Sequence, residues 1–224
     1  CSSDLPSLPS SGQSANYLSN VGEIENKGIE LSIGLQLVDT KDWNVRLNAS
    51  YNTNHNKVLS IGNAVPFAIG GFSSRTVQTV VAEGEPVGFI RGYKAVLNPD
   101  NSLKEILPLQ NLGSTLPTAY GNFSLSASYK NLSFMLSGDY QYGAYVHSFD
   151  RQFRFSKGLK DDAIPEKALE GLDQGANWLN FTNFFVEKSD FLKIRNIGIA
   201  YDYKPKKYLK SVNLAFNVYN PFAF

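Results

Sequence analysis

From Ile29 the apolar residues fall at every second position, Ile29, Leu31, Ile33, Leu35 and Leu37, with Glu30, Ser32, Gly34 and Gln36 between them. A period of two is the signature of a strand with one apolar and one polar face. Trp43, Val45, Leu47, Ala49 and Tyr51 repeat the pattern against Asn44, Arg46, Asn48, Ser50 and Asn52, and the turn Asp39-Thr40-Lys41-Asp42 joins the two runs into a hairpin. A second hairpin is predicted from Phe123, Leu125, Ala127 and Tyr129, a tight turn at Lys130-Asn131, and Leu132, Phe134, Leu136, Gly138, Tyr140 and Tyr142. A third follows from Ile197, Ile199, Tyr201 and Tyr203, the basic turn Lys204-Pro205-Lys206-Lys207, and Val212, Leu214, Phe216 and Val218.

Each run keeps its alternation for about nine to eleven residues, the length of a tilted transmembrane strand, whereas globular strands stop near five or six. Aromatic placement points the same way. Trp43 and Tyr51 close the two ends of one apolar face, and at about 3.3 Å per residue and about 40° of tilt they stand about 20 Å apart along a membrane normal. Tyr129, Tyr201 and Tyr203 precede tight turns, where an interfacial girdle belongs. The short links follow one strand direction, and the long connections, about 58–119 and 146–189, follow the other. That is the asymmetry of outer-membrane barrels, with short periplasmic turns and long extracellular loops. The expected fold is therefore all-β, an antiparallel transmembrane β-barrel or a part of one; a soluble Greek-key protein with long loops is the competing reading.

Charge sharpens this picture. With 21 Lys+Arg against 20 Asp+Glu, the net charge of +1 offers no basic surface for nucleic acid. Hydrophobic residues reach 42% while charged ones are only 18%, lean for a soluble surface. Glu30, Arg46, Lys130 and Asp139 all lie on the polar side of the alternation, where a watery lumen solvates them, whereas Arg or Lys on the lipid side near the midplane costs about 2–4 kcal/mol. One Cys, one Met and two His leave no disulfide framework, Cys-rich zinc site or iron–sulfur cluster. The chain opens without a signal-peptide pattern. Its most apolar stretch, 65–72, is too short and too interrupted by Pro and Gly for a membrane helix.

Candidate chemistry is confined to the long connections. The first holds Gly84 to Lys94 and the turn Asn98-Pro99-Asp100-Asn101, an expected small extramembrane hairpin. The second holds Asp161, Asp162 and Glu166, with Asp162 placed to cap a short helix that has Pro165 in its first turn. Carboxylates such as these could serve as an acid–base pair, and a solvated helix start is the simpler reading. The segment leads to the aromatic cluster Trp178, Phe181, Phe184 and Phe185. Rings among amides can form a sugar- or peptide-contacting surface, or they can pack the loop on its neighbours. His55 and His147 stand apart near predicted strand ends and read as interface-edge or lumen residues, not metal ligands. No GxSxG, GxGxxG or Walker pattern is present, and the Asn48-Ala49-Ser50 and Asn131-Leu132-Ser133 tripeptides lie in or beside strands. No enzyme activity, cofactor or metal is expected.

The segment Asn20-Val21-Gly22-Glu23-Ile24-Glu25-Asn26-Lys27-Gly28-Ile29-Glu30-Leu31, behind a Pro/Ser/Gly-rich stretch at 5–12, resembles the SusC/RagA family of TonB-linked outer-membrane transporters. Gly84-Glu85-Pro86-Val87-Gly88, Leu116-Pro117 with Tyr120-Gly121-Asn122-Phe123-Ser124, and the run Ser189 to Tyr201 match its C-terminal part in order and spacing. The resemblance implies a plugged barrel in the bacterial outer membrane, driven through TonB. It further implies a SusD-like surface lipoprotein as lid, importing glycans or oligopeptides. A barrel of about 22 strands needs about 220 residues before any loop, so the chain is expected to be the C-terminal portion of such a barrel, without plug or TonB-contacting segment. Trp178, Phe181, Phe184 and Phe185 are then the expected contact with substrate or lipoprotein. Two alternatives stand beside this one: a self-contained barrel of about eight strands, and a surface lipoprotein binding module acylated on Cys1.

Overall fold

A computed structural model of the chain describes residues 22–62, 64–71, 77–205 and 211–224, together with the backbone of 3–5 and 17–19. In chain order the strands are β1 (Ser3–Leu5), β2 (Tyr17–Ser19), β3 (Glu23–Lys27), β4 (Glu30–Asp39), β5 (Trp43–Thr53), β6 (His55–Ser60), β7 (Phe67–Gly71) and β8 (Gln78–Val81). They continue with β9 (Phe89–Leu97), β10 (Leu103–Ser114), β11 (Ala119–Tyr129), β12 (Leu132–Tyr142), β13 (Tyr145–His147), β14 (Val186–Lys188), β15 (Phe191–Tyr203) and β16 (Val212–Ala223). Between β13 and β14 lie α1 (Phe149–Ser156), a 3-10 turn at Glu166–Leu169, α2 (Gln174–Asn177) and a 3-10 segment at Trp178–Phe185. The chain forms two compact bodies: the sheet body 28–54, 117–143 and 189–224, and the excursion body 1–27, 55–116 and 144–188.

The sheet body is a six-stranded antiparallel meander in the order β16-β15-β12-β11-β5-β4. The three expected hairpins are three of its five adjacent pairs, and its strands run 10 to 13 residues. Register shows why one layer can stand alone in a membrane. Leu35, Leu47, Leu125, Leu136, Ile197 and Val218 face one another in a single row across all six strands. Val45, Ala127, Phe134, Ile199 and Phe216 form the next row on the same face. Among the described residues nothing covers this face: Leu35 is 45% exposed, Ile199 48% and Phe216 67%. Six strands about 4.8 Å apart, with an apolar span of about 26 Å along each, present on the order of 700 Å² of apolar surface, more than soluble monomers leave in water. The ring of Trp43 lies 4.5 Å from that of Tyr129, centroid to centroid, in the row next to the short turns, as expected of a girdle.

The opposite face carries Gln36, Arg46 and Ser126 in one row and Asn48, Ser124, Ser137 and Asn196 in another. Two expectations are corrected here. The alternation through Leu37 is not strict, because a bulge between Gln36 and Val38 gives Val38, not Leu37, the place opposite Val45. The Gln36 side chain holds the bulge by donating to the Val38 and Val45 carbonyls at 2.8 and 3.3 Å. Lys130 is not a strand residue facing the lumen; it sits in the two-residue turn at φ 52°, its ammonium 5.1 Å from the Tyr129 ring. Of the basic turn after Tyr203, Lys206 and Lys207 lie outside the described residues, as do Cys1, Asn20, Val21 and Phe72.

Family-like motifs mark close approaches in the backbone. A Cβ on Gly28 would lie 2.0 Å from the Thr53 carbonyl oxygen, and one on Gly121 would lie 2.1 Å from that of Ser50 and 2.6 Å from the Tyr140 hydroxyl. Tyr140, directly across from Gly121, fills that gap and donates to the Ser50 carbonyl at 3.1 Å. Neither glycine has a positive φ; what they supply is the missing side chain.

In the excursion body β10-β9-β8-β7 make a second antiparallel sheet, and the expected Asn98–Asn101 turn joins β9 to β10. The Gly84 to Gly88 motif ties β6 to this sheet: Val58 N–H donates to the Glu85 carbonyl, Gly84 N–H to that of Val58, and Val87 N–H to Asn56 Oδ1. Val58, Ile61 and Val81 form a small core beneath it.

Candidate functional site

The expected contact segment starts from a cap. Asp173 accepts from the Gly175 and Ala176 amides at 2.8 and 3.3 Å, opening α2, which runs on into the 3-10 segment Trp178–Phe185. Phe181, at φ −102° and ψ 17°, kinks that segment. Phe181 and Phe185, four residues apart, point to the same side and meet Phe155 of α1 at ring centroid distances of 5.8 and 5.5 Å. Both are fully buried, in a core with Ala95, Ile164 and Ala168. Of the four rings expected at a contact surface, two are thus turned inward. Phe181 and Phe185 are interior groups, because only burial among other rings offsets the ordering of so short a helical segment. Trp178 and Phe184 pack at the margin of that core and are partly buried.

Polar groups lock this core to the β9–β10 hairpin. Asn183 behaves as a piece of strand edge: its Oδ1 accepts from Ala95 N–H at 2.9 Å and its Nδ2 donates to the Ala95 carbonyl at 3.3 Å. Gln152, wholly buried, donates to Thr182 Oγ1 at 3.0 Å and to the Trp178 carbonyl at 3.3 Å, and its Oε1 pairs with His147 Nε2 at 2.6 Å. His147 is thus part of the excursion core, not an interface-edge or lumen residue; burial lowers its pKa, partly opposed by the Gln152 bond. His55 opens β6 opposite Lys27 in the same body. At the hairpin tip, Lys167 donates to Asp100 at 2.7 Å and holds that carboxyl far below its ordinary range.

Two of the three carboxylates, Asp161 and Glu166, are taken up by ion pairs. Arg151 forks onto Asp161, Nε to Oδ2 at 2.9 Å and Nη2 to Oδ1 at 2.5 Å, pairs with Glu187 of β14, and lies 5.7 Å from the Phe185 ring centroid. The guanidinium bond keeps Asp161 below the usual carboxylate value. Glu166 pairs with Lys160. The expected cap also moves: Asp161, not Asp162, closes the turn by accepting from Ala163 N–H at 3.1 Å, and Pro165 takes the position before the 3-10 turn. Among the described residues no group of three or more His, Cys, Asp or Glu is placed to hold a metal ion, and no helix is long and apolar enough to cross a membrane.

A single-layer meander with one uncovered apolar face, one polar face and both long connections joining strand ends at the same edge is the wall of an outer-membrane-type β-barrel. The chain matches the family described as TonB dependent receptor-like, beta-barrel, over residues 3–220, and it belongs to that family of bacterial outer-membrane proteins. Among relatives, TonB-dependent receptor P26 of Formosa agariphila is 24% identical across 84% of this chain and 23% of its own length. TonB-dependent receptor P3 of the same organism is 34% identical across 39% of this chain and 9% of its own. The fold is similar to that of the RagAB peptide importer in its closed-closed state, with a TM-score of 0.71 at 19% identity, covering 99% of this chain and 28% of that one. A second structure of the RagAB peptide transporter gives 0.69 at 21% identity, with 99% and 28% covered. The chain spans less than a quarter of the relatives' length, 8% to 23%. The sequence resemblance to SusC/RagA proteins agrees with these likenesses.

Proposed function

We propose that these residues are six wall strands and two extracellular loops of a TonB-dependent importer of oligomeric nutrients, glycans or oligopeptides, working beneath a SusD-like surface lipoprotein. The observation that carries this reading is the uncovered apolar row across all six strands, with the short turns at one edge and both excursions at the other. The family and the fold likeness to a peptide importer support it. The strands supply wall and lipid seal; the excursions supply the vestibule. Trp178 and Phe184, only partly buried at the rim of the excursion core, are the contact residues toward substrate or lipoprotein, with Phe181 and Phe185 holding them from beneath.

The native polypeptide, recovered from purified outer membranes and identified by peptides of this sequence, should have a mass several times that of 224 residues and copurify with a lipoprotein. A mass near that of the chain itself would instead indicate the small barrel or the lipoprotein module. In the full-length protein, Trp178→Ala with Phe184→Ala should weaken uptake or lipoprotein capture while leaving barrel assembly intact. Normal uptake and capture in that variant would remove the contact assignment.

A further inference from the structure

The polar face of the sheet carries a construction that a plain wall does not need. Strand pairing slips on both flanks of Arg195, against β12 between Ser137 and Gly138 and against β16 between Ile194 and Asn196. The second slip leaves Asn220 of β16 in the left-handed region at φ 51°. Paired irregularities of this kind bend a strand and re-aim a side chain, at a cost that an unbroken ladder avoids. Here they turn Arg195 onto Asp139 of β12. Nη2 donates to Oδ2 at 2.9 Å, Nε donates to Oδ1, and Nη1 donates to Asn220 Oδ1 at 3.3 Å.

Lys193 lies directly across from Asp139 on the same face, its ammonium 4.3 Å from the Phe191 ring centroid. Among the described residues it has no ion-pair partner. Two cations thus stand beside one carboxylate, which only Arg195 bridges. Arg195 keeps two of its N–H donors unused and Lys193 keeps its ammonium donors. Arg195 is also open to solvent, its side chain 47% exposed.

We propose that Lys193 and Arg195 form a carboxylate-binding station on the lumen wall, with Asp139 and Asn220 holding Arg195 in place and the Phe191 ring holding Lys193. The ligand group is a carboxylate of the molecule in transit, from an acidic peptide or a uronate-bearing glycan. The inference rests on the polar face being the lumen wall of an importer.

The test uses the full-length protein in its own cells, with Lys193→Gln and Lys193→Glu. Uptake is measured for two labelled pairs: an acidic oligopeptide and its amidated counterpart, and an oligouronate and a neutral oligosaccharide of equal length. Lys193→Gln should lower uptake of the carboxylate-bearing member about two- to fivefold, the size of a solvated charge pair, and Lys193→Glu should lower it further. The neutral counterpart should be unchanged, and raised salt should shrink the difference. Selectivity in the peptide pair identifies one source of the carboxylate, and selectivity in the glycan pair the other. An equal effect on both members, or none, overturns the station. Lys193→Cys with a membrane-impermeant thiol reagent tests the lumen reading separately. Absence of labelling overturns that reading and the station together, whereas labelling with unchanged selectivity overturns the station alone.

Discussion

Leu47 is the position at which the two faces of the sheet can be weighed against each other. It lies four residues from Trp43 and four from Tyr51 along β5, about 13 Å of strand in each direction, or about 10 Å in projection at a tilt near 40°. That puts it at the midplane of the apolar band. Arg at the midplane of a barrel's lipid face costs about 2–4 kcal/mol, falling to about 0–1 near the interfaces. Leu47→Arg should therefore lower the folding equilibrium about 30- to 900-fold, and Trp43→Arg only slightly. Met135 is the control: it is apolar and 44% exposed, but it faces Ser126 and Gly198 in the polar row. Met135→Arg should cost little, although hydrophobicity alone would rank it with Leu47. The assay is urea unfolding of the full-length protein in lipid vesicles, followed by the mobility difference between folded and heated barrels. If Met135→Arg is as damaging as Leu47→Arg, or Leu47→Arg is harmless, the assignment of faces is wrong.

Three further outcomes follow from the packing and the ion pairs. Gly121→Val should block assembly of the full-length barrel, since its Cβ would overlap the Ser50 carbonyl and the Tyr140 ring; wild-type amounts of the heat-resistant form would contradict this. Phe181→Ala should cost the excursion body about 3–5 kcal/mol, read as new protease cleavage within 144–188 with the barrel intact, and unchanged cleavage would show that the ring is not a core group. Acidification should loosen the same body in two stages. His147 has a pKa below its ordinary 6.5, so its contribution is complete above that value and is lost as the pH falls through the lowered one. Asp161, also lowered, contributes fully above its ordinary 3.8 and loses its part only under stronger acid. His147→Gln should remove the first stage in hydrogen exchange of Trp178–Phe185, and Asp161→Asn the second.

What could be read from the chain alone depended on whether period two survived locally. β4, β5, β11 and β12 keep their phase through most of their length, so their pairs, their turns and the row through Leu47 and Leu125 were all visible in the alternation. β15 does not. Its apolar residues run Leu192, Ile194 and then Ile197, Ile199, changing from even to odd positions across Arg195, and that change of phase is the bulge. A reading that begins the strand at Ile197 finds the hairpin and misses both Lys193 and Arg195. The excursion core was hidden for another reason. Phe155, Phe181 and Ala95 are joined by contacts between segments far apart in sequence, and the Asn183 to Ala95 pair spans 88 residues. Nothing local distinguishes a ring that fills such a core from one that meets a ligand; both need an aromatic among small polar neighbours. The split of the four rings into two interior and two marginal ones follows from the turn of the 3-10 segment around Phe181, which sets Phe181 and Phe185 inward against Phe155 and leaves Trp178 and Phe184 at the rim.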